Sequence, residues 1–202
     1  MRSALVSVCT AAVSVSLLAC SADEGPLVNE TFSPSATATI RIAAPVDEAP
    51  VQHNHGRNEV RFDPCARIDD DTIVAAGFDP STRKRNDFIF DAYSFIGCGF
   101  DHKENIRGQI LTVSSLTVWS TNVSLEEFRD RYAKSSESAQ VGGRAALQYR
   151  STEAHSGSCG MVIGFADAVL DVSISTNAAF TSERPCDRID QVASTIESAL
   201  PD

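Results

Sequence analysis

The sequence predicts an α+β domain in which an antiparallel β-sheet of about five strands is packed by three helices. Three observations predict it. Alternating β-branched runs, of which residues 109–119 (QILTVSSLTVW) are the clearest, have the period of two of a half-buried strand. Short turns join several of these runs, which pairs neighbouring strands antiparallel. Other segments, such as residues 183–202, carry a single apolar stripe at helical spacing and must cover a face.

The domain is predicted to span residues 61–202. Pro64 and Cys65 open a helix whose Ile68, Ile73 and Ala76 share one side, with Gly77 as its terminator. Asp69, Asp70 and Asp71 suit a first turn, where carboxylates meet the positive end of the helix dipole. A calcium reading of the same triplet lacks the spaced acidic loop of an EF-hand. Residues 81–87 (STRKRND) read as a polar connector, residues 88–100 as a strand carrying Cys98, and residues 101–108 (DHKENIRG) as a hairpin loop before the strand at 109–119. Ser124 and Glu127 form a capping box ahead of a short helix with Leu125, Phe128 and Tyr132 on one face. Gly142 and Gly143 turn the chain into a further strand. Residues 157–167 and 168–177 make two more, joined by a tight turn at Ala166 to Ala168, with Leu170, Val172 and Ile174 opposed to Asp171 and Ser173. The last helix buries Ile189, Val192, Ala193, Ile196 and Leu200.

Ahead of the domain, the apolar run Ala4–Ala19 is short for a membrane span and is diluted by Ser7, Thr10, Ser14 and Ser16. Residues 1–19 therefore read as a signal peptide, with Arg2 as its positive start. Leu17-Leu18-Ala19-Cys20 resembles the lipobox of bacterial lipoproteins, which implies cleavage before Cys20 and a diacylglycerol on its thiol. An ordinary secretory signal with an incidental cysteine is the alternative. Lipid on two or three chains would hold the protein on the outer face of the cytoplasmic membrane. Residues 20–60, rich in Ser, Ala, Thr and Pro, are predicted to be a disordered tether with a span of about 35 Å. Within it His53 and His55 form an H-x-H pair, but two ligands in a floppy acidic linker make a poor metal site.

The formal charge of −10 becomes −11 once Arg2 leaves with the signal peptide. So acidic a surface repels nucleic acid and anionic headgroups, so neither is a natural partner for the folded part. Arg83, Lys84 and Arg85 stand out as a small basic cluster, read as a solvated loop rather than as a contact for an anionic wall polymer.

Six cysteines divide by compartment. Cys9 leaves with the signal peptide and Cys20 takes lipid, so Cys65, Cys98, Cys159 and Cys186 are left to form two disulfides in an oxidising environment. Three pairings exist. Cys65 with Cys186 and Cys98 with Cys159 is the expected one, because the first two occupy matching Pro-Cys-x-Arg-Ile-Asp helix starts and the other two lie within strands. Bridged that way, the chain would be clasped end to end.

The lipobox, the Ser/Pro/Thr tether, "DPC" opening a helix that ends in "AAGF", "GCGF", "VGGRAA", "SCGMVI" and "PCDRIDQVASTIESALP" together resemble an actinobacterial envelope-lipoprotein family, domain of unknown function 3558, over Phe62 to Pro201. The resemblance implies a small exported domain of mycobacteria and their relatives, and no agreed activity. Phe100 stands near where many relatives have a tryptophan. The layout also resembles, by fold analogy alone, the sandwich of the photosystem accessory protein PsbP.

Catalytic patterns are sparse. The chain has no H-E-x-x-H, no G-x-S-x-G and no Walker loop. Ser81-Thr82-Arg83-Lys84 matches S-x-x-K but lacks its K-T-G partner. His155-Ser156-Gly157-Ser158-Cys159 holds the residue types of an L,D-transpeptidase site in the wrong order. His102 reads as a solvated turn residue, and Trp119 as core with a ligand-groove wall as the second reading. No catalytic, cofactor or metal residue is assigned. The expected function is therefore a membrane-anchored, non-catalytic lipoprotein that binds an envelope protein, lipid or glycan, or serves a membrane complex as a structural partner. The enzymatic alternative is a cell-wall hydrolase or transferase using Cys159 as nucleophile and His155 as base.

Overall fold

The computed structural model of the chain describes residues 40–151, 157–166 and 168–201. Its first helical stretch is two short helices, α1 (Pro64–Arg67) and α2 (Asp70–Ala75), where the sequence predicts one. The break has a local cause. Asp69 adopts extended backbone to cap α2, accepting from the Thr72 N–H at 2.8 Å, just as Asp63 caps α1 by accepting from the Cys65 N–H. Asp70 and Asp71 sit in the first turn of α2 as expected, paired with Arg83 and Arg41.

Eight strands follow among the described residues: β1 (Asp79–Arg85), β2 (Phe88–Ile89), β3 (Ser94–Ile106), β4 (Gln109–Thr121), β5 (Ser136–Val141), β6 (Arg144–Ser151), β7 (Ser158–Phe165) and β8 (Ala168–Thr176). They form one antiparallel sheet in the order β1-β3-β4-β8-β7-β6-β5, with β2 also on β3. The sheet is thus larger than the five strands expected. Its two edges, β1 (DPSTRKR) and β5 (SESAQV), are the strands the sequence hides. Polar, charged edges resist pairing with other chains, and that same composition erases the apolar alternation of a strand. Residues 81–85 are therefore strand and not connector. The expected loop at 101–108 is also mostly strand: β3 runs to Ile106, and the turn shrinks to Arg107 and Gly108, both at positive φ (53° and 85°) as a two-residue type I′ turn requires. Beyond Lys103 and Thr112 the β3–β4 ribbon has no third strand beside it among the described residues, which explains its polar sequence.

Other expectations hold. The helix α3 (Leu125–Arg131) begins with the Ser124–Glu127 capping box, Gly142 and Gly143 make the β5–β6 turn, and α4 (Ile189–Glu197) buries Ile189, Val192, Ala193 and Ile196, but it is shorter than the expected 183–202: Pro185–Asp187 form a 3₁₀ turn ahead of it and buried Leu200 lies past its end.

The sheet's two faces are covered unequally. On one, Phe100, Leu116, Met161, Ile163, Leu170 and Val172 meet Ile68, Ile73, Ile189 and Ile196 of α1, α2 and α4 and their flanks, all within 1% of full burial. Each such side chain contributes about 1.5–3 kcal/mol. On the other, Leu147, Tyr149, Val162 and Val169 meet Phe128 of α3. A seven-residue helix is only about 10 Å long, too short to cover that face.

Two corrections concern the chain's covalent and domain layout. The disulfides are Cys65–Cys98 and Cys159–Cys186, each with Cα atoms 5.1 Å apart, and not the end-to-end clasp expected. Cys98 on β3 and Cys159 on β7 have β4 and β8 between them, about 14 Å at the usual strand spacing, which no disulfide bridges. Each helix-start cysteine instead reaches the strand beneath it, Cys65 from α1 and Cys186 from the 3₁₀ turn Pro185–Asp187. Similar sequence context placed them alike in local structure but over different strands.

The folded unit also begins before residue 61. The Ala43 N–H donates to Asp70 at 2.7 Å, Gln52 exchanges hydrogen bonds with the Val60 backbone, and Asn54 is buried. The Asn54 carboxamide oxygen accepts from Ser94 Oγ (2.8 Å) and Asn122 Nδ2 (3.0 Å), and its NH₂ donates to Gln52 (2.8 Å). Residues 40–60 are held by these hydrogen bonds, by buried Val60 and by Val46 packed against the main core, so the expected tether stops short of them. Cys20, residues 1–19 and the rest of the expected tether lie outside the described residues.

Candidate functional site

Between α3 and the stretch from β2 to Tyr93, the partly covered face holds a cleft of about 500 Å³. That volume is in the range of small-molecule sites. One wall is Phe88, Phe90, Tyr93, Phe95 and Trp119; the other is Phe128, Tyr132 and Tyr149. Asp171 lies at the floor, and Glu127 and Arg131 of α3 line it from above.

Strand register builds this arrangement. Trp119 of β4 and Asp171 of β8 are direct partners, so their side chains share the face. Trp119 lies opposite Gly97 on β3, and Tyr149 of β6 lies opposite Gly160 on β7. A Cβ at Gly97 would collide with the Trp119 ring, and one at Gly160 with the Tyr149 ring. The bare backbone at Gly160 lets Tyr149 cross β7 and reach β8, where its hydroxyl meets both Asp171 carboxylate oxygens at 2.9 and 3.0 Å. Trp119 donates its indole N–H to the Asn86 carbonyl, which holds that wall in place. Phe88 and Phe95 both stand edge-to-face to Trp119 at 5.8 and 5.9 Å, while Tyr132 stacks on Tyr149 at 4.2 Å.

The electrostatics are those of a charge kept from water. Asp171 retains 3% of its exposure, and burial pushes its carboxyl up to about 7, against the Tyr149 hydrogen bond and the Arg131 charge that pull it down. Burial, then the Asp171 charge, holds the Tyr149 phenol well above its usual range. One hydroxyl proton serves one oxygen at a time, so the carboxylate keeps spare acceptor capacity toward the cleft. Glu127 is held down to about 2, first by the Arg57 guanidinium and then by the Ser124 N–H. Arg57 grips it at both oxygens and so ties residues ahead of 61 to the helix that forms one wall.

The residues singled out from sequence scatter. Cys159 is fully buried and bonded to Cys186, so it offers no thiolate; His155 and Cys20 lie outside the described residues. Ser81 donates to Asp79, and Lys84 approaches Asp101 at 4.0 Å. The basic cluster is no surface patch: Arg83 is buried against Asp70 and over the Phe100 ring, and Arg85 pairs with Asp63 and Asp87. His102 lies on β3, 3.3 Å from Glu104, and the His53 and His55 rings are 6.5 Å apart. Among the described residues no group of three or more His, Cys, Asp or Glu side chains is placed to hold a metal. Trp119 alone meets its second reading, as a groove wall. Asp171 and Tyr149 were missed. The signal for Asp171 was a lone charge inside the apolar run AVLDVSIST, which alternation alone assigns to a solvated face.

A family model described as protein of unknown function (DUF3558) matches residues 15–199. The chain belongs to this family. The DUF3558 match spans both disulfides and every cleft residue from Phe88 to Asp171. No curated protein and no solved structure matches the chain. Among the described residues no helix is long and apolar enough to cross a membrane.

Proposed function

We propose that this DUF3558 protein is an actinobacterial envelope lipoprotein, held on the outer face of the cytoplasmic membrane by lipid on Cys20, that binds a small envelope molecule in the aromatic cleft without turning it over. The observation that carries the reading is eight aromatic rings gathered around one buried carboxylate on a sheet face that α3 only partly covers. A face that merely needed cover is served by aliphatic side chains, and a buried carboxylate lowers stability, so the arrangement is kept for something other than packing. The oxidation of Cys159 removes the nucleophile on which a Cys159/His155 hydrolase or transferase depends. A PsbP-like sandwich belongs to this reading on its layering of helices and antiparallel sheet alone.

Trp119 is the sole tryptophan of the chain and stands in the cleft wall, so its emission reports occupancy directly. Full-length protein in detergent is titrated with lipid and glycan fractions of its host envelope. A saturable change with one fraction, lost in Tyr132→Ala, supports the reading; no change with any fraction overturns it. Mass spectrometry of the mature protein tests the anchor, and an unmodified Cys20 refutes it.

A further inference from the structure

A carboxylate at the bottom of an aromatic cleft is the chemistry that recognises a positively charged nitrogen. We propose that the cleft binds an organic ammonium group, seated against the Asp171 carboxylate and the surrounding ring faces. The inference rests on the reading of the cleft as a ligand site and names the class of its ligand.

Three features of the site favour a cation over a neutral guest. Asp171 is 3% exposed and accepts from the Tyr149 hydroxyl, and the cation that acts on it is Arg131 of the cleft lining, so its negative charge is sheltered and only partly offset. Rings attract cations through their faces and repel them at their edges. Eight aromatic side chains line the same space as that carboxylate. The net charge of −10 also draws cations toward the protein.

The charged and titratable groups around the floor leave room for this guest. From β6, Tyr149 is already donating to Asp171; from β4, the Trp119 N–H is committed to Asn86. From α3, Glu127 is held by Arg57 and Ser124. Arg131, the nearby cation, is exposed and lies 5.9 Å from the Tyr132 ring centroid, at the rim and open to solvent screening. Tyr93 and Tyr132 complete the lining as phenols. An ammonium guest would favour the ionised carboxylate, so binding tightens as pH rises through the range in which Asp171 loses its proton.

The test compares choline with its uncharged isostere 3,3-dimethyl-1-butanol on the full-length wild-type chain, read by Trp119 fluorescence and calorimetry. Shape is shared and only charge differs. Choline is expected to bind about tenfold or more tightly than the alcohol, with the gap widening between about pH 6 and about pH 8. Asp171→Asn, checked for folding by circular dichroism, is expected to lose most of the choline affinity and to keep that for the alcohol. Equal affinity for the two probes, or undiminished choline binding by Asp171→Asn, overturns the proposal. Absence of choline binding while an envelope fraction still perturbs Trp119 overturns the ammonium inference and leaves the ligand site standing. Silence of Trp119 toward every fraction and both probes overturns both.

Discussion

Replacing Asp171 by asparagine should change the pH dependence of folding in a way that isolates one buried charge. In the folded chain the carboxyl titrates at about 7; in the unfolded chain it returns to its ordinary 3.8. Below 3.8 both states hold the proton and the group costs nothing. Between 3.8 and 7 the unfolded chain has released the proton and the folded chain has not, so stability falls as pH rises. Above 7 both states are ionised and the cost is complete. At roughly 1.4 kcal/mol for each pH unit of separation, it amounts to about 4 kcal/mol. The Asp171→Asn side chain carries no such titration, while the Tyr149 hydroxyl can still donate to the new carboxamide oxygen, a change worth about 1 kcal/mol at any pH. Urea unfolding followed by Trp119 emission, for both proteins from about pH 4 to about pH 8, gives the difference curve, in which histidines and other carboxylates cancel. The difference should move toward the variant by about 4 kcal/mol as pH rises. Parallel curves, or a wild type that gains on the variant with rising pH, would refute the placement of Asp171 in a water-poor floor.

Further outcomes follow from the packing. Removing the Cys159–Cys186 bridge by Cys159→Ala with Cys186→Ala frees a 27-residue loop and should lower stability by about 3–4 kcal/mol on chain-entropy grounds; non-reducing peptide maps should link 159 to 186 and 65 to 98. Gly160→Ala should displace the Tyr149 ring, lower stability by about 1–3 kcal/mol and break the contact with Asp171, seen as a moved carboxyl titration by NMR. Asn54→Ala should cost about 2–3 kcal/mol, since it strips partners from buried Ser94 and from Asn122; an unchanged melting curve would return residues 40–60 to the status of a tether.

The readable part of the fold is the part where local rules and tertiary needs agree. The Ser124–Glu127 box, the Gly142–Gly143 turn, the β4 alternation and the α4 stripe are each decided within a few residues, by a cap, a positive φ or a period. Strands β1 and β5 were hidden because edges are selected to look unlike strands. Arg83 read as solvated because nothing local announces that Asp70 and Phe100 would enclose it. At the candidate site, Trp119 carried a weak signal and the Tyr149–Asp171 pair none, for their 22-residue separation closes only when β6, β7 and β8 align.

By itself, then, the sequence determined an α+β chain with an acidic surface, four cysteines to be paired and a set of correctly placed turns and caps. Only the tertiary structure decided which cysteines meet, where the folded unit begins and that an aspartate in an apolar strand is the floor of a cleft. Composition and period report on each residue's immediate neighbours, whereas pairing and burial depend on which strands lie side by side, and strand order is not a local property.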